Sequence, residues 1–223
     1  MARISPSSNP EKEENLVSYV KELQSLGADF MHMDVMDGVF VENACLNPSL
    51  VNDVNNHSVI PLDVHLMVAH TRENIINYIS AGANIITVHY ESYENITDLL
   101  ADIHFIRSTN NTLVGLSIKP DTEVSAISHI LKLLDLVLVM SVVPGKSGQK
   151  FIDSSLDKIK ELRDIIDSNG YDTLIEVDGG INLDNAKSVV DAGADILVMG
   201  NALYKADDRA KVINHIHSLK KSK

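Results

Sequence analysis

The stretch His32-Met33-Asp34-Val35-Met36-Asp37-Gly38 decides how this chain is read. It has the make-up of a strand that ends in a glycine turn. Successive side chains on a strand point to opposite faces, so His32, Asp34 and Met36 share one face. Two groups able to bind a metal therefore stand in a row with a soft thioether. The stretch Pro61-Leu62-Asp63-Val64-His65-Leu66-Met67-Val68 repeats the theme, with Asp63, His65 and Met67 on one face. A third, Ile175-Glu176-Val177-Asp178-Gly179-Gly180, sets a carboxylate at a strand end. The question for the rest of the chain is whether these three strand ends meet.

Working outward, short β-rich runs alternate with longer amphipathic segments. The pattern predicts strands over 2–5, 29–35, 60–67, 84–89, 113–118, 136–141, 174–177 and 196–199. Between them it predicts helices. Asn9-Pro10 reads as the opening of the first, with Leu16, Val17, Val20, Leu23 and Leu26 at helical spacing. The others are expected near 49–55, 73–80, 96–107, 123–133, 154–168, 183–192 and 209–219, and Lys220, Lys221 and Lys223 read as a solvated tail. Alternation of this kind argues a parallel sheet with crossover helices. Eight units in 223 residues fit an α/β fold of the (β/α)₈ TIM-barrel type, whose usual size is about 250 residues. A doubly wound open sheet is the alternative. No Pro/Gly/Ser-rich linker divides the chain, so residues 1–223 read as one domain. Leu26-Gly27-Ala28-Asp29, Ser80-Ala81-Gly82-Ala83-Asn84 and Asp191-Ala192-Gly193-Ala194-Asp195 look alike, each a helix stop before a strand.

Composition narrows the function. A net charge of -12 argues against a nucleic-acid partner, because phosphate backbones need a basic surface. It leaves room for a small phosphorylated substrate held by backbone N–H groups. The single cysteine, Cys45, permits no internal disulfide and points to a reducing compartment. No apolar run approaches the roughly 20 residues that span a bilayer, and Met1-Ala2-Arg3-Ile4-Ser5-Pro6 lacks a signal-peptide core. The expectation is a cytoplasmic protein with no membrane partner.

In such barrels reactive groups sit at the C-terminal strand ends. His32, Asp34, His65 and Asp178 all fall there. Two imidazoles and two carboxylates suit one divalent ion such as Zn²⁺, Fe²⁺, Mn²⁺ or Co²⁺. A cation would also cancel carboxylates that would each lose several kcal/mol of hydration on burial. A lone histidine on a strand is more often a hydrogen-bonded core residue, and His57, His70, His104, His129, His215 and His217 are read so. His89-Tyr90-Glu91 reads as lining or support, and Asp37 and Asp63 as structural hydrogen-bonding groups. Asp178-Gly179-Gly180 and Met199-Gly200-Asn201-Ala202 follow the last two strands, where many barrels hold a phosphate. Val143-Pro144-Gly145-Lys146-Ser147-Gly148-Gln149 follows strand six and is read as a loop that closes over the substrate.

Taken together, Ile4-Ser5-Pro6-Ser7, His32 to Gly38, Asp63 to Val68, Asp135 to Ser141, Pro144 to Phe151, Glu176 to Asn182 and Gly193 to Ala202 resemble the ribulose-phosphate 3-epimerase family. The resemblance implies a (β/α)₈ barrel of the ribulose-phosphate-binding type. It implies interconversion of D-ribulose 5-phosphate and D-xylulose 5-phosphate in the pentose phosphate pathway, by two-base proton transfer through an enediolate. It implies His32, Asp34, His65 and Asp178 as metal ligands and Asp34 and Asp178 as the acid/base pair. Substrate contacts are implied for Ser7, His65, Met36, Met67, Met140, Gly145, Lys146, Ser147, Gly148, Gly179, Gly180, Gly200 and Asn201, and a homo-oligomer is implied for the assembly. The chain departs from the family pattern where Gly-Phe-Gly-Gly becomes Gly145-Lys146-Ser147-Gly148, where Gly-Ser becomes Gly200-Asn201, and where His-Phe-Val-Pro-Asn becomes Val39-Phe40-Val41-Glu42-Asn43. These changes bear on loop closure, phosphate affinity and substrate choice. Epimerisation of another ketose phosphate such as D-allulose 6-phosphate is the runner-up, and a non-catalytic sugar-phosphate-binding barrel the third reading. The Asp-x-Lys-x-x-Asp motif of barrel decarboxylases and synthases does not occur.

Overall fold

The structure is a computed structural model that describes residues 1–109 and 111–221, so Lys223 of the expected tail lies outside the described residues. The β-branched and aliphatic runs form strands β1 Arg3–Pro6, β2 Met31–Asp37, β3 Ala44–Cys45, β4 Leu62–Met67, β5 Ile85–His89, β6 Leu113–Ile118, β7 Leu136–Met140, β8 Leu174–Asp178 and β9 Ile196–Met199. Their order in the sheet is β1-β9-β8-β7-β6-β5-β4-β2-β3. Every pairing is parallel except β2 with the short β3, which lies antiparallel to it. The parallel run curls until its ends meet: Ser7 bridges His32 in parallel, and the Ser8 N–H donates to the His32 carbonyl at 2.8 Å. That seam makes the fold a (β/α)₈ barrel and excludes the open-sheet alternative.

The strands are buried on both faces, as covered parallel strands are. Val137, Val139, Ile175, Val177 and Leu197 face the helices in the larger core. The alternate residues Leu136, Leu138, Met140 and Ile196 pack with Phe30 and Leu174 in a second cluster inside the barrel. Across the barrel, β2, β4 and β5 contribute polar groups on the inward face, and His32, Asp34, Asp63, His65, Thr87 and His89 are all buried. One half of the lumen is therefore an apolar plug and the other a polar layer.

The strand bottoms are stitched by side chains. Asp29 Oδ2 accepts the Ile4 N–H (2.8 Å), Asn84 Oδ1 that of Leu62 (2.7 Å), Asp135 Oδ2 that of Val114 (2.9 Å) and Asp195 Oδ2 that of Ile175 (2.9 Å). Asp29, Asn84 and Asp195 are the last residues of the three look-alike phrases. Each phrase stops a helix and then ties the next strand to its neighbour, satisfying an N–H at the barrel floor.

The helices are α1 Leu16–Ser25, α2 Pro48–His57, α3 Thr71–Ser80, α4 Ile96–Ser108, α5 Ser155–Asn169, α6 Ala186–Ala192, α7 Asn201–Tyr204 and α8 Arg209–Ser218. Side-chain caps start α2, α4 and α8, where Asn47, Asn95 and Asp208 accept the N–H of Leu50, Asp98 and Lys211. Asn9-Pro10 does not open a helix. The Asn9 N–H donates to Ser7 Oγ at 3.1 Å and the Glu11 N–H to the Ser8 carbonyl at 3.1 Å, folding the segment back over the end of β1. Residues 123–133 form two 3₁₀ turns, Val124–Ala126 and Ser128–Leu133, in place of the expected α-helix. Their serines and β-branched residues favour local alternatives to the α-helix, and Thr173 Oγ1 takes the Leu131 and Leu134 carbonyls. Among the described residues no helix is long and apolar enough to cross a membrane.

Asp37 fastens the upper ends of β2 and β4. Its Oδ1 accepts the Val39 and Phe40 N–H groups, both at 2.8 Å, and its Oδ2 accepts the Ala69 N–H at 2.7 Å. Burial opposes ionisation, yet these backbone donors hold its carboxyl below the usual carboxylate range. Asp37→Ala strands three donors and is expected to cost about 1–3 kcal/mol in urea unfolding. Asp37→Asn retains one acceptor oxygen and is expected to recover part of that loss.

Candidate active site

The register of β2 against β4 builds the centre. His32 lies beside Asp63, Asp34 beside His65 and Met36 beside Met67. The two rows of the sequence thus become one block on the barrel's inner face. β8, reached around the barrel through β1 and β9, brings Asp178 to the same place. One donor atom from each of His32, Asp34, His65 and Asp178 falls within 4.8 Å of all the others. His65 Nδ1 is 3.2 Å from Asp34 Oδ1 and 3.3 Å from His32 Nε2, and His32 Nε2 is 3.4 Å from Asp34 Oδ1.

The electrostatics call for positive charge at this point. Burial disfavours a charged His32, but the carboxylates of Asp63 and Asp34 outweigh it and hold its pKa well above the usual imidazole value. Burial pushes Asp34 upward, yet His32 and His65 overcome it and hold Asp34 well below the usual carboxylate range. Asp178 goes the other way: burial, then the charge on Asp34, raise it to about 6. Below this set Glu176 is raised well above its ordinary value, first by burial and then by Asp63, and neither of its oxygens has a hydrogen-bond partner. A divalent cation fits the four upper donors, because two imidazoles and two hard carboxylates are a normal donor set for zinc or iron and offset the buried negative charge.

Further support comes from residues behind the donors. Asp63 Oδ2 accepts the Nδ1–H of His32 at 2.6 Å. Ser7 Oγ donates to Asp34 Oδ2 at 2.9 Å, and the Asp34 N–H donates to Ser8 Oγ at 3.3 Å. His89 Nε2 lies 2.8 Å from His65 Nε2, and His89 Nδ1 lies 3.1 Å from Glu91 Oε2.

Above the donors opens a cleft of about 220 Å³. Asp34 and Asp178 form part of its wall, with Ser7, Met36, Met67 and Met140 beside them. The three glycine-bearing loops form the rest, contributing Gly145, Lys146, Ser147, Gly148, Gly179, Gly180, Gly200 and Asn201. His32 and His65 are fully buried and do not line the cleft. Lys146 is exposed and its Nζ pairs with Glu42 at 3.0 Å, while Asn43 Nδ2 donates to the Gly145 carbonyl at 2.6 Å. The 39–43 loop and the 143–149 loop are thereby joined, and only the second borders the cleft.

A family model described as the ribulose-phosphate 3 epimerase family matches residues 3–204. The ribulose-phosphate 3-epimerase of Bacillus subtilis (strain 168) is 41% identical over 221 residues, covering 99% of this chain and 100% of its own. This chain belongs to the ribulose-phosphate 3-epimerase family. The chloroplastic ribulose-5-phosphate-3-epimerase of Arabidopsis thaliana is 39% identical over 218 residues, 98% of this chain and 77% of that one. The 3-hexulose-6-phosphate synthase of Salmonella typhimurium superposes with a TM-score of 0.71 over 96% of each chain at 15% identity, a likeness of fold alone.

Within this epimerase-family barrel, His32 and His65 belong to the four-residue donor cluster alone, Asp34 and Asp178 to both the cluster and the cleft wall, and the other expected residues border the cleft. Reading the sequence passed over Asn9, Pro10, Val142, Gln149, Ile181 and Asn182, which also line it. Asn9 and Pro10 carried a signal, since Pro10 closely follows the first strand, but it was read as a helix start. Gln149 is set by loop shape, through its Nε2 bonds to the Val143 and Lys146 carbonyls at 2.6 and 2.8 Å. Gly180 shows why the phosphate loops need glycine. Its φ is +66°, and a Cβ there would lie 2.4 Å from the Phe151 backbone nitrogen. Gly180→Ala is expected to destabilise the protein by about 1–3 kcal/mol in chemical denaturation, combining strain and overpacking. Gly170→Ala is the control: φ is +64° with nothing within 4 Å of the added carbon, so the expected loss is smaller.

Proposed function

We infer that this chain is a ribulose-phosphate 3-epimerase, interconverting D-ribulose 5-phosphate and D-xylulose 5-phosphate in the pentose phosphate pathway. The observation that carries the mechanism is a pair of buried carboxyl groups, Asp34 and Asp178, that line one cleft from different strands. Inverting a carbon beside a ketone needs a base on one face and an acid on the other. Asp34 is held ionised by His32 and His65 and accepts the C3 proton. Asp178, raised by burial and by the charge on Asp34 to about 6, lies close enough to neutrality to exchange a proton, and delivers one to the opposite face. In the reverse direction the two exchange roles. They stand on β2 and β8, with β1 and β9 between them around the barrel, which suits the two faces of a planar sugar fragment.

His32, Asp34, His65 and Asp178 would hold one divalent ion, Zn²⁺, Fe²⁺, Mn²⁺ or Co²⁺. Such an ion supplies Lewis-acid stabilisation of the negative charge that builds on the substrate's C2 oxygen. Each carboxyl has two oxygens, so one can face the cation while the other handles a proton. Ser7 orients Asp34 through its hydroxyl. Met36, Met67 and Met140 wall the cleft with polarizable, non-protic surface and keep water from the reacting carbon. The backbone N–H groups around Gly179, Gly180, Gly200 and Asn201 suit the phosphate, and Gly145, Lys146, Ser147 and Gly148 suit its cover.

The names of the relatives favour ribulose 5-phosphate over D-allulose 6-phosphate as substrate. Asp63-Val64-His65 stands where the synthases and decarboxylases of this fold carry their lysine motif, which counts against their chemistry here. The same reading takes residues 1–223 as one barrel domain, working as a homo-oligomer in the cytoplasm.

Asp34→Asn and Asp178→Asn are each expected to lower kcat by about 10²-fold or more, the scale of losing one acid or base. Purified variants with near-wild-type turnover would refute the roles. The wild type is expected to wash solvent deuterium into C3 of the substrate, which a sugar-phosphate-binding barrel without catalysis would not do. Treatment with a chelator is expected to abolish turnover and re-addition of Zn²⁺, Fe²⁺, Mn²⁺ or Co²⁺ to restore it. Full activity in a preparation shown to be metal-free by elemental analysis would remove the ligand assignment.

A further inference from the structure

His89 and Glu91 belong neither to the four-residue donor set nor to the cleft wall, yet they are built into the centre. β5 ends at the fully buried His89. The turn Tyr90–Ser92 then swings Glu91 back so that its Oε2 meets His89 Nδ1 at 3.1 Å. Glu91 Oε1 accepts the Lys119 backbone N–H at 2.7 Å and the Thr122 hydroxyl. The His89 ring lies against His65 at a centroid distance of 4.9 Å, with the planes 31° apart, and Phe40 covers it on another side at 4.8 Å. Lys119 Nζ sits 4.1 Å from the Phe40 ring centre.

The protons in this chain of contacts can be counted. A carboxylate accepts only, so Glu91, already taking two donors on Oε1, accepts the Nδ1–H of His89. A neutral imidazole has one N–H, so His89 Nε2 then carries a lone pair. That lone pair faces His65 Nε2 at 2.8 Å, which must therefore be an N–H. The remaining lone pair of His65 is on Nδ1, the atom within 3.2 Å of Asp34 Oδ1 and 3.3 Å of His32 Nε2. Asp63 performs the same task for His32 in one step, taking its Nδ1–H and leaving Nε2 free on the donor side. The opposite order would require a second N–H on His89, a charge buried next to the cation site without room for hydration.

We propose that His89 and Glu91 are positioning residues that fix the tautomer of His65, so that its Nδ1 lone pair meets the Nε2 lone pair of His32 at one point. They touch neither substrate nor ion. Their effect is on metal affinity through ligand orientation and basicity, where outer partners commonly matter by 10–100-fold. This inference rests on the metal reading given above.

The test uses Zn²⁺ alone as the probe, measured by competition with a chromophoric chelator. His89→Phe keeps the bulk and ring stacking but removes the acceptor, and is expected to weaken Zn²⁺ binding by about 10–100-fold. His89→Gln puts an amide oxygen close to where Nε2 was, and is expected to regain much of that loss; a residue that merely fills space would give the reverse ranking. Glu91→Gln is expected to fall between the wild type and His89→Phe. Long-range ¹H–¹⁵N correlation spectra of the zinc-loaded wild type are expected to place the protons on His65 Nε2 and His89 Nδ1, a reading that does not depend on any variant folding. A proton on His89 Nε2, or unchanged zinc affinity in His89→Phe, overturns the inference while leaving the metal reading standing. A wild type that binds no zinc removes both.

Discussion

The register of β2 against β4 is the constraint on which the site depends. Paired one residue out of step, the polar row of β4 would turn outward to the helices, because strand side chains alternate with a period of two. Paired as they are, Asp34 meets His65 and His32 meets Asp63. The first contact assembles donors for a cation and the second aims one of them. The same two strands are locked at their upper ends by Asp37, whose oxygens reach the loop after β2 and the N–H of Ala69 after β4. The stitches at the barrel floor and the seam between Ser7 and His32 hold the remaining strands to that frame.

Burying this many ionisable groups inside a barrel is costly unless each has a partner. The arrangement meets the cost unevenly, and the unevenness is what separates the carboxylates. Asp34 lies between two imidazoles and stays ionised. Asp178 feels mainly burial and the charge on Asp34, and rises to about 6. Glu176, deeper still, rises well above its ordinary range. The apolar half of the lumen, from Leu136 to Ile196, contributes by excluding water and keeping these interactions strong. A proposed cation above and a neutral acid below would leave the polar layer close to balanced.

Two of the stretches in which this chain departs from the pattern read for its family touch each other. Glu42 stands where the family carries proline, and Lys146 stands where it carries phenylalanine, and the two side chains pair at 3.0 Å. An exposed pair of this kind contributes little by itself. The neighbouring contacts add to it: Asn43 holds the Gly145 carbonyl, and Gly145 leaves no room for a side chain against Val41. The two loops are thus in contact in this chain, and the inner wall formed by Met36, Met67 and Met140 lies apart from that contact.

The sequence by itself determined the strand-helix alternation, which residues share a strand face, and which strand ends carry carboxylates and glycines. All of these are local: they follow from a period of two, from helix stops and from turn residues a few positions apart. Strand bounds read that way fall within two residues of those observed. Helix starts differ more: a local turn in which Ser7 Oγ accepts the Asn9 N–H replaces the first, and the long-range donation from Thr173 Oγ1 to the Leu131 carbonyl accompanies the 128–133 segment. Only the tertiary structure decided that Asp63 takes the Nδ1–H of His32 while Asp34 lies against His65, that His89 and Glu91 stand behind His65, and that Lys146 turns to Glu42. Asp34 and Asp63 both sit two residues from a histidine on the same strand face, and the sequence separates them only by nearness to a C-terminal strand end. What separates them is depth in the barrel and the partner strand alongside, and both are set by closure between segments far apart in the chain.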